Sequence, residues 1–152
     1  MLDTNLDVEK LKKLQFKIMK DVAASALIPL MRIGDQLGLF QKLSALGPIT
    51  SKKFAEEANV DERYLREWLY ALSATDFVSY DGEKEEFSLS PEQKAVFADE
   101  EGPANMLGAY EVLAGQVYAE EKVLEAFKTG NGIAYENAVS YTHLTLPTMD
   151  HV

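Results

Sequence analysis

Between Leu6 and Leu46 the apolar residues recur mostly at three- and four-residue steps. Leu11, Leu14, Ile18 and Val22 fall on one helical stripe, and Lys10, Lys13, Lys17 and Lys20 on the opposite face. Pro29 lacks an N–H and its ring clashes with the preceding turn, so the helix is expected to kink or divide there. A second helix is expected from Leu30 to Leu46, carrying Ile33, Leu37, Phe40 and Leu43 at helical steps. Gly34 and Gly38 stand four apart and point to a small-residue packing contact, and Gly47-Pro48 ends the segment.

Thr50 or Ser51 caps a short helix, Lys52 to Ala58, and Asn59-Val60 makes a turn. Asp61 caps the next helix, Glu62 to Ala74, whose apolar face is Tyr64, Leu65, Trp68, Leu69 and Leu72. Phe77 to Tyr80 and Phe87 to Leu89 read as strands joined by a turn that starts at Asp81-Gly82. Two helices around a short turn, followed directly by a hairpin, is the winged-helix order. Ser90 opens a further helix, Pro91 to Phe97, and an acidic loop runs from Asp99 to Pro103. Ala104 to Ala114 and Gln116 to Phe127 predict two last helices, ending at Gly130. The fold class is therefore mainly α with a small β wing of two or three strands.

The chain has 152 residues, 47% hydrophobic and 10% aromatic, enough for one domain with a core of its own. Without cysteine there is no disulfide framework, thiolate metal site or thiol nucleophile. The start, Met1 to Asn5, is polar and acidic, unlike a signal peptide. The longest apolar run, Ala23 to Met31, is too short to span a bilayer. These features point to a cytoplasmic protein with no membrane partner.

Catalytic chemistry has little to work with. The two histidines, His143 and His151, fall in the last ten residues, so the first 142 residues offer no histidine base or ligand. Glu83, Glu85 and Glu86 flank a turn, and Asp99, Glu100 and Glu101 fill a loop; both groups read as solvated acids. Gly130-Asn131-Gly132 follows a helix, whereas a nucleotide loop follows a strand, so it reads as a helix C-cap. No catalytic, cofactor-binding or metal residues are expected. Phe16, Met19, Met31, Met106 and Tyr110 are candidates for lining an apolar substrate pocket, with helix packing inside a subunit or a dimer as the competing reading.

Charge bears on the obvious winged-helix function, DNA reading by the second helix of the motif. Acids outnumber bases 25 to 15, a net of −10. The segment Asp61 to Glu67 has three acids and two bases, and the wing, Asp81 to Glu86, has four acids and one lysine. Phosphate contacts need cations, so these surfaces repel a nucleic-acid backbone. A winged-helix transcription regulator remains the alternative, with a cationic recognition helix as the feature it requires.

The strings Arg32-Ile33-Gly34-Asp35-Gln36-Leu37-Gly38-Leu39-Phe40 and Asp61-Glu62-Arg63-Tyr64-Leu65-Arg66-Glu67-Trp68-Leu69 carry a family resemblance. It continues through Tyr80-Asp81, Phe87-Ser88-Leu89, Pro91-Glu92-Gln93, Ala98-Asp99-Glu100-Glu101 and Ala126-Phe127-Lys128-Thr129-Gly130-Asn131-Gly132-Ile133. Over Leu6 to Tyr135 the chain resembles the amino-terminal domain of certain bacterial class I S-adenosylmethionine-dependent methyltransferases. Asp76 departs from the pattern, since winged helices usually place glycine before the strand. The resemblance implies a winged helix with added helices that pairs subunits as a homodimer through its N-terminal helices and caps the pocket of a small-molecule acceptor. It assigns S-adenosylmethionine and catalysis to a following Rossmann-like domain, whose glycine-rich signature the sequence lacks. The fragment itself is then expected to bind no cofactor.

The segment Val139 to Thr148 resembles a translated transposon-based sequencing adaptor, spelled by the codons GTC TCT TAT ACA CAT CTG ACG CTG CCG ACG. A native extended tail is the competing reading. The expected organisation is a winged-helix dimerisation and substrate-lid domain over 1–138 and a non-native tail over 139–152. On this expectation neither histidine carries function.

Overall fold

The computed structural model describes residues 6–133; the tail from 139 and both histidines lie outside the described residues. Among the described residues, 6–107 form one compact unit and 108–133 a second.

In the first unit, α1 (Val8–Ser25) starts where the Asp7 carboxylate accepts the N–H groups of Glu9 and Lys10. The helix divides at Ala26, earlier than Pro29, and α2 (Leu27–Gln36) follows. A continuous helix would press the Pro29 ring against the Ser25 carbonyl, so the break forms one turn upstream while Pro29 sits in the first turn of α2. The single helix expected from Leu30 to Leu46 is also divided. Gly38 adopts φ +62° and starts α3 (Leu39–Leu46), which Gly47 closes at φ +73°. With that break the expected stripe fails in part: Phe40 and Leu43 are buried, but Ile33 and Leu37 are about half exposed, and Met31 and Gly34 face the core instead.

A short strand, β1 (Ile49–Thr50), leads into α4 (Ser51–Ala58), capped by the Thr50 hydroxyl. Asn59 turns the chain in the left-handed conformation, and the Asp61 carboxylate caps α5 (Glu62–Ser73) by accepting Tyr64 N–H at 3.1 Å. Strands β2 (Ser79–Asp81) and β3 (Glu86–Ser88) complete a three-stranded antiparallel sheet in the order β1-β3-β2. Phe87 sits opposite both Ile49 and Tyr80. The strands run one or two residues away from the sequence expectation, because Asp81 still pairs with Glu86 and the turn is taken by the four residues between them. The left-handed position in that turn is Glu85, not Gly82. Then α6 (Pro91–Phe97) opens with a reciprocal capping box between Ser90 and Gln93.

The core of this unit joins Met31, Phe40, Leu43, Phe54, Leu69, Leu72 and Phe87. Each such side chain contributes about 1.5–3 kcal/mol through its removal from water. Trp68 lies over Phe40 with ring centroids 5.2 Å apart, and its indole N–H donates to Leu30 O at 2.8 Å. Helices α7 (Leu107–Tyr118) and α8 (Glu120–Thr129) divide at Ala119, four residues beyond the expected junction. Gly130 caps α8 at φ +73°, as the glycine pair predicts.

No helix among the described residues is long and apolar enough to cross a membrane. The described residues also hold no group of three or more His, Cys, Asp or Glu side chains arranged to bind a metal.

Candidate functional site

The outward side of α5 and the wing form the surface that a DNA-reading winged helix would present. Helix α5 buries Leu65, Trp68, Leu69 and Leu72, which turns Arg63, Glu67 and Tyr70 outward. Tyr64 belongs to this outer set too. The sequence places it on the apolar face, but it precedes Leu65 by 100° of helix and is 78% exposed. Arg66 is tied back to Glu62 of its own helix at 3.0 Å, and Glu62 also accepts the Ser51 hydroxyl at 2.9 Å. That pairing halves the cationic charge available on α5.

The wing is built on a ring stack. Tyr80 lies 4.6 Å from Phe87, and Tyr70 meets both edge-on, at 5.5 and 5.4 Å. The Tyr70 hydroxyl beside it, with burial second, pushes Tyr80 up to about 12. At the tip the Asp81 carboxylate accepts the N–H groups of Lys84 and Glu83, which hold it below the usual aspartate range. Lys84 bonds to Asp81 at 3.4 Å, leaving Glu83, Glu85 and Glu86 with no ion pair among the described residues. A groove of about 620 Å³ opens beside the stack, lined among others by Tyr70, Ala74, Asp76, Ser79, Tyr80 and Gln93.

The Tyr70–Tyr80–Phe87 stack is absent from the sequence reading. Its signal is available there: Tyr70 is an aromatic residue on the polar side of an amphipathic helix, and Tyr80 faces Phe87 across the hairpin.

Helix α1 is the second feature. It buries none of its 18 residues, although Leu14, Phe16, Ile18, Met19 and Val22 are large and apolar. Lys10 pairs with the capping Asp7, and Lys12 and Lys17 pair with Glu9 and Asp21 of the same helix. The Lys20 ammonium rests 5.0 Å from the centre of the Phe16 ring.

The five pocket candidates occupy different environments. Phe16 and Met19 are 62% and 68% exposed on α1, while Met31 is fully buried in the core. Met106 is exposed, and Tyr110 lies half-buried on α7, where burial raises its phenol above the ordinary value. The groove beside the ring stack is lined by other residues.

Comparison with known proteins gives the fold its relatives. A comparison with curated protein sequences returns no match. The chain is similar in fold to N,N-8-amino-8-demethyl-D-riboflavin dimethyltransferase (RosA) from Streptomyces davawensis, with 23% identity and a TM-score of 0.57. That match covers 84% of this chain and 35% of the other. A protein assigned as an O-methyltransferase (NPUN_R0239) from Nostoc punctiforme PCC 73102 gives 20% identity and a TM-score of 0.57, over 82% of this chain and 37% of the other. The chain thus spans little more than a third of the length of either. Residues 23–98, half of the chain, match the model of the Rv2258c-like winged HTH domain. Helix-turn-helix, wing and family model agree on one assignment: the chain belongs to the Rv2258c-like winged HTH domain family.

Proposed function

We propose that this chain is the N-terminal dimerisation and substrate-capping domain of an S-adenosylmethionine-dependent methyltransferase that acts on a small molecule. The observation that carries this reading is α1, an 18-residue helix with an apolar stripe and no buried residue. A helix of that kind is covered when a second copy pairs with it. The fold likeness to RosA and NPUN_R0239 supports the methyltransferase part of the reading.

The described residues do not fit the cofactor. A dinucleotide-type site needs a parallel strand, a glycine-rich turn and a helix N-terminus. The sheet described here is antiparallel, with strands of two or three residues. On this reading cofactor binding and methyl transfer belong to a separate Rossmann-like catalytic domain. Exposed apolar residues of α7 and α8, among them Val117, Tyr118, Leu124 and Phe127, suit cover by such a domain. The wing acids argue against duplex DNA as the partner.

The test is the native reading frame after Ala138. The proposal expects a hydrophobic strand and a glycine-rich loop within the next several dozen codons. A native stop codon at that point overturns it.

A further inference from the structure

We infer that the wing surface of one copy receives the lysine edge of α1 from a second copy, so that the dimer is an exchange of helices onto wings. The inference rests on the dimer reading above and names the surface that α1 covers.

Three observations carry it. The first is unspent charge of opposite sign on two exposed surfaces. Lys10, Lys13, Lys17 and Lys20 follow each other at three- and four-residue steps, so they form one edge of α1. Among the described residues Lys13 forms no ion pair, and Lys20 meets only a ring. On the wing, Glu83, Glu85 and Glu86 carry no ion pair among the described residues. Joining these surfaces neutralises both.

The second is the chemistry of the groove at the base of the wing. Two tyrosines, Tyr70 and Tyr80, and an acidic residue, Asp76, line it. Rings beside an acid suit a long side chain ending in an ammonium, since the stem packs on the ring and the charge finds both face and carboxylate. Lys20 already lies over a ring within its own helix.

The third is shape and composition. Helix α1 is about 27 Å long at 1.5 Å per residue. The receiving surface runs from Tyr70 on α5 across Tyr80 to the wing tip. Tyrosine is among the residue types enriched at the centre of protein interfaces. An exchange of this kind is isologous, because each copy gives one helix and one wing, and it closes at two chains.

A charge swap in the full chain tests it by sedimentation equilibrium. Two variants are made, Lys13→Glu/Lys20→Glu and Glu83→Lys/Glu85→Lys, at four exposed positions. Far-ultraviolet circular dichroism checks that each is folded. Each variant alone should dimerise at least about tenfold more weakly than the natural chain. An equimolar mixture should recover the natural affinity, because both helix–wing contacts in the mixed dimer are again of opposite sign. If the natural chain dimerises, the wing variant dimerises unchanged and the mixture shows no recovery, then α1 pairs elsewhere and the inference falls while the dimer reading stands. A natural chain that stays monomeric overturns both.

Discussion

The indole ring of Trp68 occupies the space where Gly34 would carry a side chain. A Cβ on Gly34 would lie 2.5 Å from Trp68 Cζ2 and 2.6 Å from Phe40 Cε2. Glycine at this position lets α2 approach α5 closely enough for Trp68 to donate its N–H to the Leu30 carbonyl. Gly34→Ala should therefore cost about 1–3 kcal/mol through overpacking. Thermal unfolding followed by the single tryptophan checks it, and an unchanged midpoint would mean the two helices are not packed this tightly.

Asp76 holds the left-handed conformation at φ +60°, where side-chain-bearing residues are strained. Asp76→Gly should stabilise the chain by up to about 1 kcal/mol, relief of strain outweighing the extra freedom of the unfolded glycine. Asp76→Val should destabilise it. Denaturant midpoints of the pair decide the matter; the same sign for both would contradict it.

Gln93 ties three elements together. Its side-chain oxygen accepts Ser90 N–H at 2.7 Å and the Ser79 hydroxyl at 3.0 Å, and its amide donates to the Asp76 carbonyl at 2.8 Å. Gln93→Ala should cost about 1–3 kcal/mol, more than Ser90→Ala at about 1 kcal/mol, which loses chiefly a cap. Urea denaturation of both variants gives the order, and the reverse order would show that the cap alone matters.

The wing should respond at both ends of the pH scale. The Asp81 carboxyl is lowered from 3.8, so its contribution is present above that value and is lost as pH falls through its folded value. Tyr80 is raised from 10.0 to about 12, so the stability linked to its neutral form is complete below 10.0 and is lost as pH rises through about 12. Phenolate absorbance should show Tyr80 ionising late, and Tyr70→Phe should bring it back toward 10.0. A titration unaffected by Tyr70→Phe would show that Tyr70 is not the cause of the shift.

Much of this fold is legible in the sequence, for a local reason. Thr50, Asp61 and Ser90 each cap the helix that follows, and a cap depends only on residues within one turn. The hairpin is legible from alternation and its turn residues. The helix divisions at Ala26 and Gly38 are less so, because a stripe of apolar residues runs on through a break that backbone sterics impose. Tyr64 illustrates the other limit. Its place on a broad apolar arc did not decide whether anything packs there, and it faces outward. Of the site, the acids of the wing are plain in the sequence. The ring stack that supports them needs the pairing of Tyr80 with Phe87 and the return of Tyr70 from another element.

The exposed apolar side of α1 makes self-association the most direct test. Sedimentation equilibrium of the full chain at micromolar concentration should give twice the monomer mass. Ile18→Asp, at an exposed α1 position, should return it to one chain with its circular dichroism intact. A natural chain that remains monomeric up to about 100 μM would contradict the account, since an obligate pairing helix binds well below that concentration.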